Sequence, residues 1–140
     1  MPLGQYDRLV DSDRLMRASA SALKKSTAFD GLRAVLVRTS QRGSAVDFVN
    51  QAAAISVTAD WLEGDLAVAV RPVGGAPIDL AVLADTDAAK GLSLTRLPRG
   101  ISTDSLARRL VQVLELLDRA VPGVLAGTDG AADTLRAKGA

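Results

Sequence analysis

Ile55-Ser-Val-Thr-Ala-Asp60, Glu63-Gly64-Asp65 and Leu66-Ala-Val-Ala-Val70 decide the fold between them. In the first stretch Ile55, Val57 and Ala59 alternate with Ser56, Thr58 and Asp60, a period of two that suits a strand buried on one side. Glu63, Gly64 and Asp65 supply turn residues. Leu66, Val68 and Val70 then form one face of a second strand, and Ala67 and Ala69 the other. Pro72 to Pro77, with Gly74-Gly75 inside it, is a strong turn signal. A third strand follows at 78–84, with Ile78, Leu80 and Val82 on one face and Asp79, Ala81 and Leu83 on the other. Asp85 to Lys90 is a short polar link, and Gly91-Leu-Ser-Leu-Thr-Arg-Leu97 reads as a fourth strand ended by Pro98.

Before this block, Leu32 to Thr39 reads as a strand with arginines near both ends, and 41–44 as a turn. Ser44 to Ile55 admits two readings. Ser44-Ala-Val-Asp47 fits a capping box with Asp in the acidic place, which would open a helix through Phe48, Val49, Ala52 and Ala53. The rival is a hairpin strand over 45–50. The alanine run at 52–54 tips the balance towards the helix.

Helices bracket the strands. Residues 1–6 are expected to be loose, with Asp11 or Ser12 capping a helix to about Ser26. Leu9, Met16, Ala20 and Leu23 would be its apolar side, and Lys24 and Lys25 would suit its last turn. The closing helix is the clearest element. Ser102 caps it, Thr103 and Asp104 begin it, and Leu106, Leu110, Val113, Leu114 and Leu117 make one face before Pro122-Gly123 stops it near Val121. The expected fold class is therefore α+β: an antiparallel sheet of about four to five strands flanked by an N-terminal and a C-terminal helix. The expected organisation is one α+β domain over 1–122, then a flexible tail over 123–140 with at most a short helical turn near 133–137.

Composition narrows the chemistry. The chain has 140 residues, 48% hydrophobic but only 3% aromatic, so its core must be aliphatic. It has no cysteine and no histidine. Disulfides, thiolate nucleophiles and Cys-type zinc sites are excluded, as is the commonest general base and transition-metal ligand. No cofactor is expected. Arginine outnumbers lysine thirteen to four, a bias of the kind GC-rich bacterial genomes impose. The start carries no basic segment followed by an apolar run, and no stretch reaches membrane-spanning length, so the expectation is a cytoplasmic protein with no membrane partner.

Net charge is +1 but unevenly spread: +4 over 1–43, −5 over 44–94 and +2 over 95–140. A basic beginning and an acidic middle can pair within one molecule or across a dimer; a solvated surface of uneven charge is the plain account.

The candidate motifs are thin. Asp85-Thr86-Asp87 follows an apolar strand, as paired carboxylates do in Mg²⁺-dependent phosphotransfer sites, but the Gly-Thr continuation is missing. Ser21-Ala-Leu-Lys24 matches the S-x-x-K of serine acylases without the other elements that chemistry needs. Gly74-Gly75 stands between strands, with no helix N-terminus to hold phosphate. Arg33, Arg38, Arg42, Arg108 and Arg109 would be the phosphate contacts of a nucleic-acid-binding protein, an alternative opposed by the near-zero net charge and the scarcity of aromatics.

The alanine face of the strands is more telling. A sheet covered on one side carries polar residues on the other. Here the second face is small and partly apolar, so the first helix or a second copy of the chain is expected to cover it. Trp61, Ala67, Ala69, Ala81 and Leu83 are the candidate partner-binding residues, although Trp61 at a strand end reads first as core.

Gly91 to Pro98 followed by Ser102 to Arg119 resembles the end of type III secretion chaperone-like domains, in which an L-x-L-x-R-x-L-P strand runs into a terminal amphipathic helix. That resemblance implies a helix-first α+β fold, a twisted antiparallel sheet, dimers, no catalytic residues, and binding of unfolded client segments. The chain differs from the pattern at Asp85 to Lys90, too short for the family's helix between its third and fourth strands. The leading expectation is thus a non-enzymatic interaction protein, an adaptor or secretion-type chaperone acting as a homodimer. A nucleoid-associated protein and a small Mg²⁺-dependent enzyme or ligand-binding domain using Asp85 and Asp87 are the alternatives.

Overall fold

The structure is a computed structural model, which describes residues 3–25, 31–39, 43–60, 64–79, 96–97, 101–128 and 130–139. Its elements in chain order are helix α1 (Leu3–Leu23), strands β1 (Arg33–Thr39), β2 (Gly43–Val49), β3 (Ala53–Asp60), β4 (Asp65–Pro72) and β5 (Ile78–Asp79), then helices α2 (Thr103–Ala120) and α3 (Ala131–Gly139). The five strands form one antiparallel sheet in the order β1-β2-β3-β4-β5. The expected class, α+β with an antiparallel sheet between terminal helices, is the class observed.

The segment 44–55 corrects the helical reading. It is the β2–β3 hairpin, with Val46 opposite Val57 and Phe48 opposite Ile55. All four side chains are buried. Only a period of two lets the two strands bury them on one face. Of the alanines that favoured a helix, Ala52 lies in the turn, and Ala53 and Ala54 open β3. Asn50 Oδ1 accepts from the Ala52 and Ala53 amides at 2.8 and 3.0 Å, closing a side-chain-bonded turn that ends the β2 ladder.

A helix propensity of a few tenths of a kcal/mol per alanine loses to the burial of a Val, Ile or Phe, worth about 1.5–3 kcal/mol each. Gly43 at the start of β2 allows a close approach, since a Cβ there would run into the Ala59 carbonyl of β3.

The inward rows of the sheet are Ser44–Ala59–Leu66, Val46–Val57–Val68 and Phe48–Ile55–Val70. Their apolar members join one hydrophobic core with Leu15, Ala18 and Ala22 of α1 and Leu106, Leu110, Val113, Leu114 and Leu117 of α2. α1 lies against α2, β1 and β2. It begins at Leu3, so Asp11 and Ser12 lie inside it and do not cap it, and part of the stretch expected to be loose is helical. Its buried stripe is Leu15, Ala18, Ser19 and Ala22, whereas Ala20 of the expected stripe is exposed. The Ser19 hydroxyl is accommodated in the core by donating to the Leu15 carbonyl at 2.7 Å.

α2 keeps to expectation. Ser102 Oγ accepts from the Ser105 amide at 3.1 Å, Asp104 occupies the first turn, and the helix ends at Val121 ahead of Gly123, whose φ is +88°. The chain beyond it departs from the expected flexible tail. Val124 and Leu125 are buried, and so are Ala131 and Leu135 of α3. The 122–127 turn is tied to the β2–β3 turn. Asn50 Nδ2 donates to the Val124 and Leu125 carbonyls at 2.9 and 3.1 Å, and Gln51 Nε2 donates to the Gly127 carbonyl at 2.7 Å. α3 lies along β4, with Arg136 hydrogen-bonded to the Val73 carbonyl and to Asp133.

The strand expected over 78–84 begins as β5, and its remainder, like most of the strand expected over 91–97, lies outside the described residues. Within the latter, Arg96 forms an antiparallel bridge with Asp65, and the Leu97 amide donates to the Gly64 carbonyl at 2.7 Å.

Candidate interaction surface

Strand alternation places a second set of rows on the outward face. Across β1 to β4 they run Arg33–Val49–Ala54–Arg71, Val35–Asp47–Ser56–Ala69, and Arg38–Ala45–Thr58–Ala67. Gly43, Asp60 and Asp65 end the face. A bulge between Leu36 and Arg38 re-aims the last part of β1, so that Arg38 pairs with Ala45.

None of the outward residues of β2, β3 and β4 belongs to the hydrophobic core. Ala67 is exposed, and Ala69, Ala54, Ser56, Thr58 and Val49 are half-buried. Val35 on the neighbouring strand is 43% exposed, an open large hydrophobic side chain. Ala45, on the second strand, is buried though it is outside the core cluster. The face is therefore low and made largely of Ala, Val, Ser and Thr.

A polar contact crosses it: Ser56 Oγ donates to Asp47 Oδ1 at 2.7 Å. That bond satisfies one lone pair of a carboxylate that would otherwise stand alone amid small side chains. Asp47 and, beside Ala69, the exposed Asp79 stand in the middle row, and further charged groups lie at the two ends of the strands. Arg33 and Arg71 share the outermost row at one end, and Asp60 and Asp65 stand at the other. Arg33, Arg71 and Asp65 are exposed.

The sequence-derived candidates divide accordingly. Ala67 and Ala69 stand on the outward face as expected, side by side with Thr58 and Ser56 of β3. Trp61, Ala81 and Leu83 lie outside the described residues, as do Asp85, Asp87 and Arg42. The first helix, one of the two expected covers for the alanines, packs into the core on the inward side.

The arginines of the nucleic-acid alternative are split. Arg33 lies in an outward row of β1, while Arg108 and Arg109 lie on α2, whose apolar side fills the inward core. Arg108 is exposed; Arg109 is half-buried and donates to the Arg96 carbonyl at 2.6 Å. Among the described residues no group of three or more His, Cys, Asp or Glu side chains is placed to hold a metal ion, and no helix is long and apolar enough to cross a membrane.

Val35, Asp47, Ser56, Asp65 and Arg71 belong to the surface and were not singled out from the sequence. The signal was present in the alternation of β3 and β4. What was lacking was the β2–β3 pairing, which brings Asp47 to Ser56 and puts the rows in register. None of the family models, curated proteins and solved structures compared with the chain matches it.

Proposed function

We propose that the protein is a cytoplasmic, non-enzymatic interaction domain, an adaptor or secretion-type chaperone that works as a homodimer, with the outward sheet face as its contact surface. The observation that carries this reading is the outward face itself: exposed Ala67, half-buried Ala69 and exposed Val35 among small side chains, with Asp65 and Arg71 at the two ends of β4. A solvated sheet face is ordinarily rich in long polar side chains, and a face of Ala, Ser, Thr and Val suits close approach of another sheet or strand. The chemistry of the chain agrees with a binding role. Without His or Cys, a bond-breaking site would have to be assembled from carboxylates, lysine, arginine or hydroxyls. On this face the central carboxylate, Asp47, is engaged by Ser56.

The test is oligomeric state with a blocking substitution. Sedimentation equilibrium of the full chain at tens of micromolar is expected to give a dimer. Ala67→Glu and Ala69→Glu, which place a long charged side chain on the face, are expected to give monomers with unchanged thermal unfolding. A wild-type chain that stays monomeric through this range defeats the homodimer.

A further inference from the structure

Resting on that reading, the geometry points to one arrangement of the second copy: it stacks face to face on the outward rows with its strands antiparallel to those beneath, so that Asp65 of each copy meets Arg71 of the other. The argument starts from β4. Its outward residues are Asp65, Ala67, Ala69 and Arg71, an order that carries negative charge at one end, positive at the other and only methyl groups between.

Two copies stacked on this face can be related by a two-fold axis lying in the contact plane either along the strands or across them. An axis along the strands keeps each row on itself: run over β4 it sets Asp65 on Asp65 and Arg71 on Arg71, and run between β2 and β3 it sets Arg71 on Arg33 twice, so like charges meet in either case. An axis across the strands reverses the order. Asp65 then faces Arg71, Ala67 faces Ala69, and both pairs occur twice. The neighbouring strand follows the same rule, since Ser56 is set over Thr58 of the second copy and Ala54 over Asp60.

The dimensions fit a modest contact. Four strands at about 4.8 Å spacing and six residues of β4 at about 3.3 Å each outline a flat patch of roughly 400 Å² per copy. That is about half of the ~800 Å² per partner of a standard interface, so the dimer belongs with weak, exchanging pairs. Stacked sheets usually rotate by about 30°, which moves the ends of a 20 Å strand sideways by roughly 5 Å, about one strand spacing and within the reach of an arginine. Charges at the rim of such a contact set orientation and salt dependence more than strength.

The experiment is a charge-exchange set on the full chain, read by sedimentation equilibrium and native mass spectrometry at low salt. Asp65→Arg alone and Arg71→Asp alone are each expected to raise the dimer dissociation constant about tenfold or more. An equimolar mixture of the two is expected to form heterodimers at close to wild-type strength, because every facing pair is then opposite in sign. The double variant D65R/R71D is expected to restore the homodimer. Both positions are exposed, so thermal unfolding stays as in the wild type and separates a contact effect from misfolding.

A wild-type monomer overturns the homodimer and this arrangement together. A wild-type dimer that both single variants leave intact, or a mixture that forms no heterodimer, overturns this arrangement while the dimer stands.

Discussion

Asn50 joins the sheet to the end of the chain, and replacing it with aspartate separates its two roles. Its Oδ1 holds the β2–β3 turn through the Ala52 and Ala53 amides, and its Nδ2 faces the Val124 and Leu125 carbonyls. Asn50→Ala removes four hydrogen bonds at a half-buried position. At ~0.5–0.7 kcal/mol net for each, the low end for a half-buried site, it is expected to cost about 2–3 kcal/mol. Asn50→Asp keeps both accepted bonds but turns a carboxylate oxygen towards two carbonyl oxygens. At neutral pH it is expected to cost about 3–4 kcal/mol, more than alanine although aspartate is nearly isosteric.

The sign of its pH dependence follows from the same geometry. Two facing carbonyl oxygens disfavour the charged form, so the new carboxyl titrates higher folded than unfolded. The variant is closest to wild type at low pH, where the carboxyl is protonated in both states. It loses ground as pH rises from the unfolded value of about 3.9 through the higher folded value. The assay is urea unfolding of wild type, Asn50→Ala and Asn50→Asp in parallel from pH 3.5 to 7.5, taken as differences from wild type. An Asn50→Asp variant within about 0.5 kcal/mol of wild type at pH 7, or a deficit that grows as pH falls, refutes the junction.

Three further outcomes follow from the packing. Leu114→Ala empties a buried site where α2 meets the hydrophobic core and is expected to cost ~2–5 kcal/mol in chemical denaturation, the usual range for such a truncation. Leu135→Ala, in the segment that reads as a tail, is also expected to cost at least about 2 kcal/mol, since the side chain is 0% exposed; a change under about 0.5 kcal/mol would mean that α3 does not pack on the core. Ser102→Ala removes the acceptor for the Ser105 amide at the start of α2 and is expected to lower stability by about 1 kcal/mol, seen as a small drop in midpoint with an unchanged denaturant slope.

Local pattern alone determined the class of the fold, four of its strand positions and the whole of α2. Alternation at Ile55 to Asp60 and Leu66 to Val70, the Pro72 to Pro77 turn, and the Ser102 and Gly123 boundaries are all carried by neighbours a few residues apart in the chain. The alanine face was legible for the same reason, since Ala67 and Ala69 must point away from Leu66 and Val68 whatever the sheet does.

Tertiary structure decided the rest. Whether 44–55 is helix or hairpin depends on Val46 and Phe48 finding Val57 and Ile55 across the turn, a partnership that propensity within the segment does not contain. The placement of 122–139 depends on carbonyls meeting Asn50 and Gln51 more than seventy residues earlier, and on Leu135 reaching a core built elsewhere. The bringing together of Asp47 with Ser56, and of the end charges into facing rows, depends on register, which a chain acquires only when its strands pair. Side-chain spacing along a strand is covalent and can be read from the order of residues; which strand lies beside it is settled by the burial free energy of the assembled core.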